Sequence, residues 1–521
     1  MGPAPADSVR RQTMQLKELL QVAEPVKVIG DPDTQVDMLA CDSRKVKKGA
    51  LFFALPGSRV DGHDYIAGAV SDGASAVVLE ESSYAPSETP WVQVTDCRLA
   101  MAKMAARFYG DPTATLPLVG ITGTNGKTTT TYLLESILAA GGIPAAVLGT
   151  ISYRFGTTII EASHTTPESN DLQAAFRQLA AAGAKGFVME VSSHALEQHR
   201  VDGCFFDIGL FTNLTRDHLD YHLTMDAYLE AKQRLFSELL KPDRQKPLRT
   251  AVINIDDQYG AVLAGRAACP VITFGLNGVA DVTAKEITSS LDGINGLLST
   301  PSGEIPFRSR LVGNYNLSNI LGAVAAAVAM RLNPDAIRAG IENQARVPGR
   351  LERVDNNVGV TCLVDYAHTG DALQNVLETL KKIAVGRIIT LFGCGGDRDR
   401  GKRPVMGEIA ARYSDLAIVT SDNPRTEDPS AILQQIKAGI TPLGLKEYNP
   451  DELPECFAEK GYVIIENRRD AIRTGAAIAK AGDIFLLAGK GHEDYQIIGS
   501  TKQHFDDREE ATAALGGGAV V

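Results

Sequence analysis

The chain has 521 residues, of which 44% are hydrophobic and 22% are charged, and its formal net charge is -11. A chain of this length exceeds one typical domain, so roughly three or four domains are expected. The acidic balance argues against a general nucleic-acid binder, because phosphate backbones need a basic surface. A small anionic substrate remains possible where basic residues cluster locally.

The cysteines and apolar runs indicate the compartment. The cysteines are odd in number and none has C-x-x-C spacing, which predicts reduced thiols in a cytoplasmic protein. The N-terminus lacks the apolar core of a signal peptide. The longest apolar run, residues 320–330, is well short of the roughly 20 residues that a membrane span needs. Neither a membrane nor a nucleic acid is therefore expected as a partner. The cysteines are Cys41, Cys97, Cys204, Cys269, Cys362, Cys394 and Cys456.

Short apolar segments alternate with turns over residues 24–110. The segment RLAMAKMAARFYGDP reads as a helix that Gly110 and Pro112 close. This pattern predicts a small α/β domain over residues 1–112.

Apolar runs alternate with helical patterns over residues 113–346, which predicts a parallel, doubly wound sheet. The turn-rich stretch 280–310 predicts a small antiparallel insertion. Strand patterns resume over residues 347–521, after a proline- and glycine-containing boundary at 345–355. We therefore expect an α/β protein of three domains.

The sequence VGITGTNGKTTTTYLLESI (residues 119–137) joins a buried-strand pattern to a helix through a glycine-rich turn. Backbone N–H groups in such a turn can approach phosphate, and the helix dipole adds positive potential. Lys127 is expected to reach the terminal phosphates and Thr128 to bind Mg²⁺, while the hydroxyls of residues 129–131 meet free N–H groups. The loop is shorter than the usual motif, because Ile121 replaces its first glycine. The alternative is an ordinary strand–helix turn with a surface lysine.

A nucleotide site alone fits a kinase, an ATPase motor, a GTPase or a ligase. Glu190 ends a predicted strand, where a carboxylate opposite Thr128 suits Mg²⁺, although a helix-capping glutamate looks similar. The sequence FTNLTRDHLDYH brings His218 together with several acids. Lys232 follows on a largely apolar helical face, and spacing alone favours a lysine that snorkels to the surface.

Four polar loops follow four apolar strands near the C-terminus. Any one of them could be solvated surface, but four loops on the same edge of a parallel sheet predict a binding site. The second loop holds four basic residues and suits a carboxylate or phosphate. The loops are DYAHTGDAL (365–373), GCGGDRDRGKRP (393–404), SDNPRTEDP (421–429) and LLAGKGHED (486–494).

In order and spacing these motifs resemble those of the Mur ligases, the ATP-dependent amide ligases of peptidoglycan precursor synthesis. The resemblance runs from CDSRKVKKGALFFALPG to GKGHEDYQ and is strongest to the members that add 2,6-diaminopimelate. It implies an N-terminal UDP-substrate domain (1–112), a central P-loop ATPase domain with a parallel sheet (113–346) and a C-terminal Rossmann-like amino-acid-binding domain (347–521). We expect a monomer.

The resemblance also implies a reaction. The D-glutamyl γ-carboxylate of UDP-MurNAc-L-Ala-D-Glu attacks ATP to give an acyl phosphate and ADP, and the amine of meso-diaminopimelate then expels phosphate. Two Mg²⁺ sites are implied, one held by Thr128 and Glu190, the other by Glu190, His218 and an N-carbamylated Lys232. The residues implied to be catalytic are Lys127, Glu190, His218 and Lys232.

Three sets of binding residues are likewise implied by the resemblance. For ATP they are Gly123, Thr124, Asn125, Gly126, Lys127, Thr128, Thr129, Asn316, Arg350 and Asp365. For the UDP-substrate they are Ser43, Thr165, Thr166, Ser192, Gln198 and Arg200. For diaminopimelate they are Arg398, Asp422, Asn423, Pro424, Arg425, Gly489 and Glu493. His164 stands where many relatives have asparagine.

Arg425 bears on which amino acid is added. Diaminopimelate carries a second amino-acid head group, whose carboxylate suits a planar guanidinium and whose ammonium suits Glu493. A lysine-adding relative is expected to lack arginine at this position, because a site built for polar partners rejects a ligand without them.

Three alternatives compete with this interpretation, and residues present in the sequence argue against the first two. A folylpolyglutamate synthase would share the ATPase half but lack the DNPR motif and the N-terminal motif DSRKV…LFFALPG. A nucleotide-gated regulatory protein would hydrolyse ATP without forming a product. An L-lysine-adding ligase of the same family would follow if Arg425 has another role.

Overall fold

A computed structural model describes residues 13–57, 60–162, 164–451, 453 and 457–516. Three main sheets follow one another along the chain, each flanked by helices, which confirms the α/β class. The domain boundaries stay a prediction, and the first of them falls inside the short helix Pro112–Thr115. Cys456 lies outside the described residues, and the other six cysteines are free thiols. In the described part of the chain, no helix has the length and apolar character needed to cross a bilayer.

The N-terminal sheet is parallel except at one edge. Its strands, in spatial order, are Lys27–Ile29 (antiparallel to its neighbour), Trp91–Gln93, Ala74–Leu79, Ala50–Phe53 and Met38–Ala40. A short pair, Met14–Gln15 with Gln35–Val36, lies beside it. The helices are Leu16–Ala23, Ile66–Ser71 and Cys97–Phe108. The last of these confirms the helix predicted before Gly110.

The central sheet is parallel over most of its width and ends in an antiparallel hairpin. In spatial order its strands are Thr158–Glu161, Ser152–Phe155, Ala145–Leu148, Gly186–Glu190, Leu118–Thr122, Ile208–Phe211, Thr250–Asn254 and Val271–Phe274. The helices of this region are Lys127–Ala140, Ser169–Ala181, Ser193–Glu197, Leu219–His222, Met225–Arg234, Gly260–Arg266, Asn314–Ala329 and Pro334–Asn343. Apolar clusters cover both faces of the sheet, as a doubly wound fold requires.

Two helices on one face pack backbone against backbone. Gly340 of Pro334–Asn343 lies so close to Ile137 of Lys127–Ala140 that a Cβ at Gly340 would overlap the Ile137 main chain. Ser136 Oγ donates a hydrogen bond of 2.7 Å to the Gly340 carbonyl across the same contact. This contact fixes the helix that carries Lys127.

The predicted antiparallel insertion is confirmed. It consists of Thr283–Ser290, Gly293–Thr300 and Gly303–Ser309, paired in that order. Its inward side chains, such as Leu298 and Ile305, join the core of the central sheet.

The C-terminal sheet brings the four polar loops to one edge. In spatial order its strands are Glu352–Val354, Thr361–Asp365, Ile484–Ala488, Ile388–Phe392, Leu416–Val419, Gly461–Ile464 and Lys446–Glu447. The four strands that precede the loops are adjacent and parallel, so the prediction that the loops share an edge is confirmed. The helices are Gly370–Ile383, Lys402–Tyr413, Pro429–Ile440, Arg468–Ile478 and Asp507–Ala514, and a hairpin joins Tyr495–Ile498 to Thr501–His504.

Candidate active site

The glycine-rich loop leads directly into the helix that begins at Lys127. Gly123 and Gly126 have φ of 143° and 88°, and a Cβ at Gly126 would collide with the Asn319 amide oxygen, so both positions need glycine. The Lys127 ammonium folds back over the loop and donates 2.9 Å hydrogen bonds to the carbonyls of Gly123 and Thr124. The loop and the lysine therefore form one compact, positively charged unit.

The threonines after the lysine do not all act as predicted. Thr130 and Thr131 donate to the carbonyls of Gly126 and Thr128, at 2.9 and 2.7 Å. The prediction that their hydroxyls meet free N–H groups is wrong, because a helical threonine more readily bonds a carbonyl of the preceding turn.

Glu190 faces the start of this helix, as the sequence predicted. Thr128 Oγ1 donates to Glu190 Oε1 at 3.0 Å. Thr150 donates two further hydrogen bonds to the Glu190 carboxylate. Its N–H donates to Oε1 and its hydroxyl to Oε2, both at 3.0 Å. The carboxylate is only 1% exposed, and these partners are all uncharged. A buried carboxylate beside a hydroxyl is a ligand set that suits Mg²⁺.

Lys232 is buried at the base of the loop. It is 1% exposed, its ammonium donates to the Gly123 carbonyl at 3.0 Å, and it lies 4.5 Å from the centroid of the Tyr228 ring. The expectation of a snorkelling surface lysine is therefore wrong. Burial, assisted by the positive charge of Lys127, holds the pKa of Lys232 well below its ordinary value. A lowered pKa favours the neutral, nucleophilic form of this amine.

His218 lies on the solvent side of this region. Its side chain is 47% exposed, and its ring stands edge-on to His194 at 5.0 Å. Its φ of 54° is in the left-handed region. Within the described residues no three His, Cys, Asp or Glu side chains are grouped as a metal site. The predicted Mg²⁺ ligands differ from such a group, because they include Thr128 and a modified lysine.

The side chains predicted to bind the UDP-substrate form a connected network. Thr165 Oγ1 is 3.1 Å from Thr150 Oγ1, and Thr166 Oγ1 donates to the Glu190 carbonyl at 2.8 Å. Arg200 donates to the Thr166 carbonyl at 2.9 Å and to Gln198 at 2.7 Å.

Two further residues of this set act at helix ends. Ser192 caps the helix Ser193–Glu197, and its N–H donates to Thr166 Oγ1 at 3.1 Å. Ser43 opens the turn Ser43–Lys45, where Lys45 pairs with Asp171 of the central region at 3.3 Å. The network is thus continuous with Glu190, and the Ser43 turn lies against the same region.

The remaining residues predicted to bind ATP come from the central and C-terminal regions and are Asn316, Arg350 and Asp365. Arg350 donates to Thr128 Oγ1 at 3.2 Å and stacks 4.9 Å from the Tyr366 ring. Asp365 accepts from the N–H groups of Leu351 and Ala367, at 2.7 and 2.8 Å. Asn316 is buried and accepts from Asn319, the residue that lies against Gly126. Arg350 and Asn316 therefore lie beside the glycine-rich loop and the residues around it, whereas Asp365 bonds main-chain groups of the C-terminal region.

The residues predicted to bind diaminopimelate converge from three C-terminal loops. Asn423 Nδ2 donates to Glu493 Oε2 at 2.9 Å. A Cβ built on Gly489, whose φ is 111°, would stand 3.2 Å from Asp422 Oδ2. Pro424 precedes Arg425, whose φ is 53°. Two main-chain hydrogen bonds hold Arg425 in this conformation. Its N–H donates to the Ile497 carbonyl at 3.1 Å, and its carbonyl accepts from the Gly499 N–H at 2.7 Å.

Most basic side chains of the predicted anion-binding loop at 393–404 are already bonded to other groups of the protein. Arg403 is fully buried and forms a two-pronged pair with Glu427, at 2.9 and 3.0 Å. Arg400 pairs with the same carboxylate at 3.2 Å, and Lys402 donates to the His368 carbonyl at 2.9 Å. Arg398 differs from the other three basic side chains of this loop, because it is exposed and donates only to the neighbouring Asp397 carbonyl, at 3.5 Å, among the described residues.

Sequence reasoning missed Thr150 and Lys490. Thr150 follows the strand Ala145–Leu148 with no motif to mark it, so only its contact with Glu190 identifies it. Lys490 belongs to the loop at 486–494, but the sequence motifs assign it no binding or catalytic role. In the structure it is fully buried beside Asp422 and Glu493. The signal was present in the latter case, because a lysine flanked by glycines at a strand end is an unusual place for a charge.

Three domains of one family match the chain in order. These are the Mur ligase family catalytic domain over residues 35–109, the Mur ligase middle domain over 121–327 and the Mur ligase glutamate ligase domain over 349–491. The chain is also 62% identical over 502 residues to the UDP-N-acetylmuramoyl-L-alanyl-D-glutamate–2,6-diaminopimelate ligase of Geobacter metallireducens, an alignment that covers 96% of this chain and 98% of that protein.

Solved structures agree with this assignment. A UDP-N-acetylmuramoyl-L-alanyl-D-glutamate–2,6-diaminopimelate ligase superposes with a TM-score of 0.68 at 34% identity, covering 97% of this chain and 99% of that one. Folylpolyglutamate synthase of Mycobacterium tuberculosis, solved with ADP and AMPPCP, has a TM-score of 0.59 at 19% identity over 81% of this chain and 95% of its own, which shows a shared fold alone. The resemblance read from the motifs is confirmed, and the chain belongs to the Mur ligase family.

Proposed function

We propose that this chain joins meso-2,6-diaminopimelate to the D-glutamate γ-carboxylate of UDP-MurNAc-L-Ala-D-Glu at the expense of ATP. A γ-carboxylate oxygen bonds to the γ-phosphorus as the bond to the β-phosphate oxygen breaks, which gives an acyl phosphate and ADP. The diaminopimelate amine then bonds to the acyl carbon, loses a proton, and phosphate leaves. The two steps together form one amide from one ATP.

The observation that carries this proposal is the placement of Lys127, Thr128, Glu190 and Lys232 around one loop. Lys127 and the loop N–H groups bind the phosphates, and Arg350 approaches Thr128 from the C-terminal side. Positive charge fixed in advance around a transferring phosphoryl group is the main requirement of such a reaction.

The same residues fit Mg²⁺. Thr128 and Glu190 would hold one ion, and Glu190, His218 and a carbamate on Lys232 the second. Mg²⁺ bound there would neutralise charge on the phosphoryl group. The buried amine of Lys232, with its lowered pKa, suits carbamate formation, because attack on CO₂ requires a neutral amine.

The UDP-substrate and diaminopimelate would each be held by a separate set of residues beside the ATP-binding loop. Ser43, Thr165, Thr166, Ser192, Gln198 and Arg200 would hold the UDP-substrate. Asp422, Asn423, Arg425 and Glu493, with Arg398 at the rim, would hold diaminopimelate. The free thiols among the described cysteines fit a cytoplasmic protein, and we propose that it acts as a monomer.

One assay tests the reaction and the choice of amino acid together. Purified protein, Mg-ATP and UDP-MurNAc-L-Ala-D-Glu are incubated with meso-diaminopimelate or L-lysine, and phosphate release and product mass are measured. We expect product with diaminopimelate alone. Product with lysine would retain the ligase but reject the role of Arg425. Phosphate without either product would support a regulatory ATPase instead.

A further inference from the structure

A fully buried lysine lies beneath the candidate amino-acid site. Lys490 follows the strand Ile484–Ala488 and is 0% exposed. Its ammonium lies 3.4 Å from Asp422 Oδ1, 3.4 Å from Asn423 Oδ1 and 3.7 Å from Glu493 Oε2. Burying an ammonium is costly unless anionic and polar partners surround it, and here both carboxylates do so.

The partners of Lys490 are themselves fixed. Asn423 donates to Glu493 at 2.9 Å and accepts from the Ile497 N–H at 2.9 Å. Gln496 donates to the Asp422 carbonyl at 2.7 Å. Lys490 therefore lies between Glu493, a carboxylate of its own loop, and Asp422, a carboxylate of the loop at 421–429.

The charges in this array do not cancel. Asp422, Glu493 and Lys490 taken by themselves carry one net negative charge, and Arg425 and Arg468 are further cations near them. Burial opposes ionisation of Asp422, but Lys490 and Arg468 outweigh it and hold the pKa of Asp422 below its usual value. Burial and the neighbouring Asp422 raise the pKa of Glu493, while Lys490, Asn423 and Arg425 oppose this rise.

We propose that Lys490 is a positioning residue that holds Asp422 and Glu493 apart and facing the site, so that together they accept a single ammonium group of the incoming amino acid. The assignment rests on the proposed function. It makes Lys490 act through the two carboxylates, with no contact to the reacting atoms.

Removing the ammonium has a predictable electrostatic effect. Glu493 faces Asp422, Lys490, Arg425 and Arg468, together with the phenols of Tyr366 and Tyr495. Without Lys490 its pKa rises further, because the repulsion from Asp422 is less compensated. The Glu493 carboxylate then takes up its proton at a higher pH. As the pH falls, binding of diaminopimelate therefore begins to weaken at a higher pH in the variant than in the wild type.

The test compares the wild type with K490M and K490Q. Lys502 supplies a control, because it lies 4.1 Å from the same Tyr495 ring that Lys490 approaches at 5.7 Å, yet it is exposed. KM and kcat are measured for diaminopimelate, ATP and the UDP-substrate from about pH 6 to about pH 9. Nucleotide-induced thermal shifts check that each variant is folded.

We expect both Lys490 variants to raise the KM for diaminopimelate at least about tenfold, with a smaller change in kcat and none in the KM for ATP. The pH at which this KM begins to rise should shift upward, and K502M should match the wild type. An unchanged KM, an unshifted pH profile or equal losses for all three substrates would overturn the assignment. If K490M does not fold, K490Q, which keeps hydrogen-bond donors, decides alone. A wild type that forms no product with diaminopimelate would instead overturn the proposed function, and with it this role.

Discussion

Among single residues, Lys232 combines almost complete burial with a demanding chemical assignment. Lys232→Ala and the closer isostere Lys232→Met should both reduce turnover by at least about 100-fold, the scale of losing one charge-stabilising group. Burial lowers the pKa of the Lys232 amine, which favours the neutral form that carbamate formation requires. Activity assays check the loss, and NMR of protein labelled with ¹³C-bicarbonate should show a carbamate signal only in the wild type. Full activity in both variants would reject the carbamate.

Arg425 should govern the choice of amino acid. Arg425→Ala is expected to weaken diaminopimelate binding by at least about tenfold, the usual cost of removing one member of a hydrogen-bonded charge pair, and to leave the KM for ATP unchanged. Arg425→Lys, which keeps the charge but not the planar fork, should recover only part of the loss. Steady-state kinetics with each substrate varied in turn provide the measurement. Equal weakening of ATP and diaminopimelate binding would contradict a selector role.

Sequence reasoning at this scale succeeded where a motif marks the residue and failed where only folding does. The contact between Thr128 and Glu190 follows from two strand ends that meet at one edge. The burial of Lys232 does not follow from its spacing, because the loop that covers it lies 109 positions earlier in the chain. Thr150 has no local pattern at all.

Among the elements, the contact between the helices Lys127–Ala140 and Pro334–Asn343 gives a stability prediction. Gly340→Ala should destabilise the protein by about 1–3 kcal/mol, because the added methyl group must displace the Ile137 backbone. Gly265→Ala is the matched control, since nothing lies within 4 Å of its Cβ position in the helix Gly260–Arg266. It should be neutral or stabilising by up to about 1 kcal/mol. Urea unfolding of both variants checks this, and equal stability of the two would contradict the packing argument.

Strands and helices were largely predictable, because hydrophobic periodicity reflects burial directly. The insertion at Thr283–Ser309 was found from its alternation and turns. The internal pairing of charges in the basic loop at 393–404 could not be predicted, because no local feature shows that Glu427 of a later loop neutralises Arg403. Composition indicates charge, whereas only the fold shows which charges are already paired.

At the scale of the whole molecule, Arg350 links the C-terminal region to the nucleotide loop. Nucleotide binding should therefore stabilise the protein less when this link is lost. We expect the rise in Tm that an ATP analogue produces to be smaller in Arg350→Met than in the wild type, because affinity for the native state sets that rise. Arg346→Met is the control, since among the described residues its guanidinium forms only an exposed pair with Asp355. An equal rise in all three proteins would show that Arg350 does not contribute to nucleotide binding.

The edge strands of the three main sheets are short, which affects the tendency of the protein to aggregate in concentrated solution. In the described part of the chain, the outermost strands are short, from the two residues of Lys446–Glu447 to the four of Thr158–Glu161 and Val271–Phe274. Short borders that carry charges such as Lys446 and Glu161 offer few free N–H and C=O groups to a second molecule. The chain can thus keep three wide sheets while presenting little template for the strand pairing that begins aggregation.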